Sequence, residues 1–103
     1  MKIIAITACP TGLAHTPMAA KALEQAALEM GIEIEVEQHR INGIKNKLEY
    51  AEIEQADFLI IAANKQLDDL QRFAGVVSFE VNLDDCIAYP KDVIESCMEQ
   101  YQS

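Results

Sequence analysis

The pattern of this chain predicts an α/β fold, a doubly wound sheet of four parallel strands with helices on both faces. Three observations carry that prediction. Apolar or alternating runs of six to eight residues (3–8, 32–37, 57–64 and 76–81) recur along 103 residues, stretches with helical spacing separate them, and the connections are short. A parallel sheet needs a crossover between successive strands, and the helical stretches supply one each time.

Each element can be justified in turn. Ile3-Ile4-Ala5-Ile6-Thr7-Ala8 is a continuous apolar run that suits a strand buried on both faces. From Pro17 to Met30 the apolar positions Met18, Ala22, Leu23, Ala26, Ala27 and Met30 fall three and four apart, the stripe of a helix packed on one side. Pro17 suits the first turn, where its missing N–H has no acceptor to lose, and Thr16 just before it can cap. Gly31 closes the helix.

Ile32-Glu33-Ile34-Glu35-Val36-Glu37 alternates strictly, which predicts an edge strand with one face in water; His39 and Arg40 follow it as an exposed loop pair or as added positive charge near a bound anion. Asn42-Gly43 marks a turn, and Leu48 to Gln55 forms a short helix with Leu48, Ala51 and Ile53 inward. Asp57 to Asn64 is the central strand, apolar throughout. At its exit, Asp68 and Asp69 fit a helix N-terminal turn more readily than a metal site, and Leu67 to Phe73 makes a helix that Gly75 ends. Val76 to Val81 is the fourth strand, at the other edge. Asn82 caps a helix with Asp84 and Asp85 in its first turn, and Pro90 separates it from a last helix, Lys91 to about Tyr101, with Val93, Ile94, Cys97 and Met98 inward.

Length and composition fit one domain, residues 1–103, with roughly two-thirds of the unfolded surface buried. The net charge of -9, from 17 acids and 8 bases, argues against nucleic acid and against direct attachment to anionic lipid. No apolar run approaches the length of a membrane span, and nothing at the start resembles a cleaved leader, so a cytoplasmic location is expected. Cysteines 9, 86 and 97 are too dispersed for a zinc site or a disulfide framework. Cys86 and Cys97 fall in apolar stretches and read as packing residues, whereas Cys9 ends the first strand where a helix begins.

The functional residues are therefore sought in Cys9-Pro10-Thr11-Gly12-Leu13-Ala14-His15-Thr16. Unpaired N–H groups of a first helical turn and the positive end of the helix dipole favour phosphate or thiolate there. Cys9 and His15 stand six apart with Thr16 next, the outline of the Cys-x5-Arg-Ser/Thr cradle of cysteine-dependent phosphatases with histidine in place of arginine. Arginine grips two phosphate oxygens and stays charged; histidine offers one donor and titrates near neutrality. Such a loop favours handing a phosphoryl group on over hydrolysing it. Pro10 stiffens the loop, Gly12 permits positive φ or close approach, the amides from about Thr11 to Thr16, through Leu13 and Ala14, hold phosphoryl oxygens, and Thr11, His15 and Thr16 can donate side-chain hydrogen bonds.

This loop, with Met18-Ala19-Ala20 after it, resembles the phosphocysteine loop of the fructose-type enzyme IIB components of the bacterial sugar phosphotransferase system. The resemblance continues through Gly43-Ile44-Lys45-Asn46-Lys47-Leu48, Ala56-Asp57 and Arg72-Phe73-Ala74-Gly75. It implies a three-layer, Rossmann-like fold with strand order 2-1-3-4. It also implies that Cys9 takes a phosphoryl group from a phosphohistidine of the IIA component and passes it to a sugar, fructose or a similar hexose, held by the membrane IIC component, without cofactor or metal. The chain departs from that pattern at Pro17, where an aromatic residue is usual, and at His39-Arg40, where glutamine and glycine are expected. Two other readings are a small cysteine phosphatase or arsenate reductase, and a non-catalytic domain that senses phosphorylation at Cys9.

Overall fold

The computed structural model describes residues 1–67 and 70–103. The elements run β1 (Lys2–Ala8), α1 (His15–Met30), β2 (Glu33–Arg40), β3 (Gly43–Lys45), α2 (Tyr50–Gln55), β4 (Phe58–Ala63), a 3-10 turn (Leu70–Phe73), β5 (Ser78–Val81), α3 (Leu83–Ala88) and α4 (Pro90–Gln102). They build one mixed five-stranded sheet in the order β3-β2-β1-β4-β5. The four expected strands are present, parallel and in the expected order. The fifth is a correction: β3 pairs antiparallel with β2, Arg40 opposite Gly43 and His39 opposite Ile44. Gly43 takes φ +121°, which lets the chain reverse over Ile41 and Asn42. Three residues are too few to show a period, so β3 left no mark in the pattern.

β1 alternates between two cores. Ile3 and Ala5 face Ala19, Ala20, Leu23, Ala26 and Ala27 of α1, together with Leu83, Cys86, Ile94 and Cys97 of α3 and α4. Ile4 and Ile6 face Leu48, Ile53, Leu59 and Phe73 on the other side. Phe58 of β4 packs edge-on to Phe79 at 5.4 Å and meets Tyr101 at 5.2 Å. Helices thus cover both faces, as the continuous apolar runs of β1 and β4 require. Ala51, expected inward, is exposed.

The helix ends follow the side-chain chemistry. Gly31, at φ +72°, ends α1 with Gly31 N–H on the Leu28 carbonyl and Ile32 N–H on that of Ala27. Glu49 and Glu52 exchange hydrogen bonds with each other's backbone at the start of α2. Asn82 accepts from Asp84 N–H at 2.8 Å and Asp85 N–H at 3.2 Å. Thr16 is not a cap. The helix opens on His15 with Ala14 before it, and the Thr16 side chain turns back to the loop.

β2 differs most from its expected form. It is an interior strand, covered by β3, and it continues through His39 and Arg40. Glu37 is 0% exposed although alternation places it in water. Its carboxylate accepts two hydrogen bonds from Arg72, each at 2.9 Å, one from Leu48 N–H at 2.9 Å, and lies 2.7 Å from His39 Nε2. Arg72 also donates to the Leu48 carbonyl at 3.1 Å. A carboxylate enters a core only with its charge matched and its oxygens filled, and here an arginine from 35 residues away does both. Burial by itself raises the Glu37 pKa; the bonds from His39, Arg72 and Leu48 outweigh it and bring the value down to about 2.

Candidate functional site

The loop 9–14 joins the C-terminal end of β1 to the N-terminus of α1. Its two ends are fixed: Asn64 N–H bonds the Ala8 carbonyl at 3.0 Å, and the Thr7 hydroxyl donates to the Thr16 carbonyl at 3.1 Å. Gly12 holds the middle. At φ +68° it occupies the left-handed region, and a Cβ on it would stand 2.6 Å from Ile41 N and 2.8 Å from Arg40 Cα, so the loop rests directly on the β2–β3 turn. Both reasons for a glycine, conformation and close approach, hold at this one residue.

The Cys9 sulfur sits inside the curl of this loop, with the residue 3% exposed. The Thr16 hydroxyl donates to it at 3.1 Å and Gly12 N–H at 3.2 Å, and the Thr11 hydroxyl lies 3.7 Å away. Gly12 N–H is shared with the Cys9 carbonyl at 3.1 Å, and Leu13 N–H is turned to the Thr11 hydroxyl at 3.3 Å. Burial raises the thiol pKa; the hydroxyls of Thr16 and Thr11 and the amides of Thr16 and Gly12 more than reverse this, and the value falls from 9.0 to about 6. At neutral pH the group is a thiolate. The other two cysteines are the opposite case: burial in the α1-side core pushes Cys86 up to about 12 and raises Cys97 as well.

The remaining loop residues surround this sulfur. Pro10, Thr11, Leu13, Ala14 and His15 are exposed around the mouth, with Gly12 and Thr16 buried beneath. His15 is the first residue of α1. The accessory pair is split. His39 is 7% exposed and bound to Glu37, not on a loop, whereas Arg40 lines a cleft of about 380 Å³ with Leu13, Ile41 and Ile44. Asp68 and Asp69 lie outside the described residues, and among the described residues no group of three His, Cys, Asp or Glu is placed to hold a metal ion. Sequence reasoning missed the Glu37–Arg72 pair; a buried arginine is announced only by its isolation within the apolar segment around Phe73.

The chain, this loop included, is similar to known proteins. A family model described as "PTS system, Lactose/Cellobiose specific IIB subunit" matches residues 4–96. This chain belongs to the PTS IIB family. Among its curated relatives, the PTS system fructose-specific EIIABC component of Bacillus subtilis is 48% identical over 99 residues, 96% of this chain and 15% of the relative. The PTS system fructose-like EIIB component 1 of Escherichia coli is 39% identical over 102 residues, 99% of this chain and 94% of the relative. This IIB chain therefore spans a small part of the first relative and nearly all of the second. Among solved structures, a domain of fruA from Bacillus subtilis superposes with a TM-score of 0.86 at 47% identity, covering 97% of this chain and 95% of that one. The Enzyme IIB subunit of the PTS system from Escherichia coli gives 0.87 at 39%, covering 96% and 92%. The sugar in the family description differs from the one in the relatives' names, so the fold belongs to the family at large and the fructose likeness to the sequence.

Proposed function

We propose that Cys9 carries the phosphoryl group of this IIB component, taking it from a phosphohistidine on a IIA partner and giving it to a fructose-like sugar bound by a membrane IIC partner. In the first step the thiolate attacks phosphorus in line, an S–P bond forms, the P–N bond breaks, and the imidazole leaves with the electron pair. In the second a sugar hydroxyl oxygen attacks, the S–P bond breaks, the thiolate is restored, and the hydroxyl proton passes to a base on the permease. The loop supplies position and charge stabilisation in both steps.

The observation that carries this reading is the sulfur held as an anion by Thr16, Thr11 and Gly12 at the start of α1. A thiolate placed among amide and hydroxyl donors has, once phosphorylated, donors at hand for the equatorial oxygens. The partners follow from relatives in which IIA, IIB and IIC share one chain, such as the EIIABC component. No helix among the described residues is long and apolar enough to cross a membrane, and the proposal has the sugar reached by docking on the permease.

The test is phosphoryl uptake. With a phosphorylated IIA component, the protein gains one acid-stable, cysteine-linked phosphate, and Cys9→Ser abolishes it while circular dichroism is unchanged. With IIC-bearing membranes the label appears on fructose. Label on any other residue, or release of inorganic phosphate at the rate of uptake, overturns the assignment.

A further inference from the structure

His39 and Arg40 are adjacent in sequence and opposite in space. Side chains alternate along a strand, and β2 shows which face is which: Val36 packs with α1, whereas Glu37 and His39 meet Arg72 and Leu48 on the other side. Gln38 and Arg40 therefore project to the α1 side. Ala8 of β1 pairs with His39, so Arg40 stands beside Cys9, one position further along the two strands. The Gly12 contact confirms the proximity, since a Cβ there would lie 2.8 Å from Arg40 Cα.

The phosphoryl group to be held is dianionic, and the loop brings only neutral donors and His15 to it. Among the described residues the Arg40 side chain makes no hydrogen bond or ion pair, and Arg40 lines the cleft that Leu13 shares with the β2–β3 hairpin. Lys65 lines a separate cleft with Glu80 over β4 and β5, whereas Lys45, opposite Gln38, lines the same cleft as Arg40 but two residues further from the strand end. His39 is committed to Glu37. We infer that Arg40 is a phosphate-binding residue: its guanidinium reaches over Gly12 from β2 and supplies the positive charge that the loop lacks at position 15. A guanidinium can bridge two phosphoryl oxygens at once, which an imidazole cannot.

This rests on the reading of Cys9 as the phosphoryl acceptor, and the two are tested apart. Inorganic phosphate is titrated at constant ionic strength as a protectant of Cys9 against iodoacetamide; burial raises the pKa of Cys86 and Cys97, which stay thiols at neutral pH and do not contribute. Arg40→Gln is expected to raise the half-protecting phosphate concentration at least about tenfold, the loss of a charge-assisted contact partly screened by water, with Arg40→Lys recovering part of it. Lys45→Gln, which removes the same charge from the same hairpin, is expected to stay within about twofold of wild type. Equal protection in wild type and Arg40→Gln, no protection in wild type, or an equal loss in Lys45→Gln overturns the inference. The function itself is judged separately by uptake from phosphorylated IIA: if wild type accepts the group and Arg40→Gln is protected as well as wild type, only the Arg40 assignment falls.

Discussion

Thr16→Val isolates the hydrogen bond that does most to keep Cys9 ionised. The change removes the hydroxyl that donates to the sulfur at 3.1 Å and keeps the volume, the β-branch and the backbone. The Thr16 carbonyl still receives the Thr7 hydroxyl, so the loop stays anchored. A hydrogen bond to a charged group contributes about 1.5–3 kcal/mol, and a tenfold change in ionisation corresponds to about 1.4 kcal/mol. The pKa of Cys9 should therefore rise from about 6 to roughly 7–8. At pH 7 the thiolate fraction then drops from about nine-tenths to between about a half and a tenth. The assay is the pH dependence of iodoacetamide alkylation, or the ultraviolet absorbance of the thiolate. Cys86, at about 12, and the buried Cys97 are silent over this range. A midpoint in Thr16→Val indistinguishable from wild type would refute the claim that side-chain donors outweigh burial at this sulfur.

Three further outcomes follow from the same geometry. A thiol pKa lowered on folding stabilises the native state fully above the unfolded value, and that contribution is lost as the pH falls through the native one. Denaturant unfolding of wild type should thus gain stability between about pH 6 and pH 9 relative to Cys9→Ala, on the order of 1–3 kcal/mol once solvent screening is allowed for, and parallel pH profiles for the two would count against it. Glu37→Gln removes the carboxylate that takes two hydrogen bonds from the Arg72 guanidinium, 8% exposed, and should cost about 1.5–3 kcal/mol in urea unfolding. The Glu37 contribution, present above about pH 4.5, should fade in wild type as pH falls toward about 2 and be missing from the variant. Gly12→Ala sets a methyl group against the backbone of Arg40 and Ile41 at positive φ; it should raise the Cys9 alkylation midpoint and slow phosphoryl uptake, and an unchanged midpoint would show that the loop does not depend on this contact.

What could be read from the sequence was what local pattern determines. The runs that become β1 and β4 are apolar but for Thr7 between Ile3 and Ala8, with no alternation to suggest a wet face, and both strands lie inside the sheet. Gly31 and Asn82 act at helix ends in ways their chemistry alone dictates. The site was legible because Cys9 and the helix after it are contiguous. The missed features all depend on contacts distant in sequence or on very short segments. Glu37 alternates perfectly with Val36, and only Arg72 and Leu48 turn its wet face into a buried one. β3 spans three residues, yet it makes β2 an interior strand. Thr16 looks like a cap one residue before proline, but its hydroxyl is used by the sulfur, a partner seven residues earlier.

If Cys9 is the acceptor, as proposed, both halves of the transfer depend on one balance at this sulfur. A thiolate with a pKa of about 6 is a weaker nucleophile than an ordinary cysteine thiolate, but far more of it is ionised at neutral pH, and it is a better leaving group. Lowering the pKa thus makes the S–P bond easier to break in the second transfer without starving the first of thiolate. The donors that produce this effect, Thr16, Thr11 and Gly12, lose their anionic acceptor once the sulfur is phosphorylated. They are then free to turn to the phosphoryl oxygens, so the charge they stabilise moves outward by one bond and does not vanish. On that proposal the loop would stabilise the phosphorylated and the unphosphorylated states with the same groups, which would keep either from becoming a trap. In the proposed transfer a phosphoryl group would then enter from a histidine and leave to a sugar, with direction set by the partners.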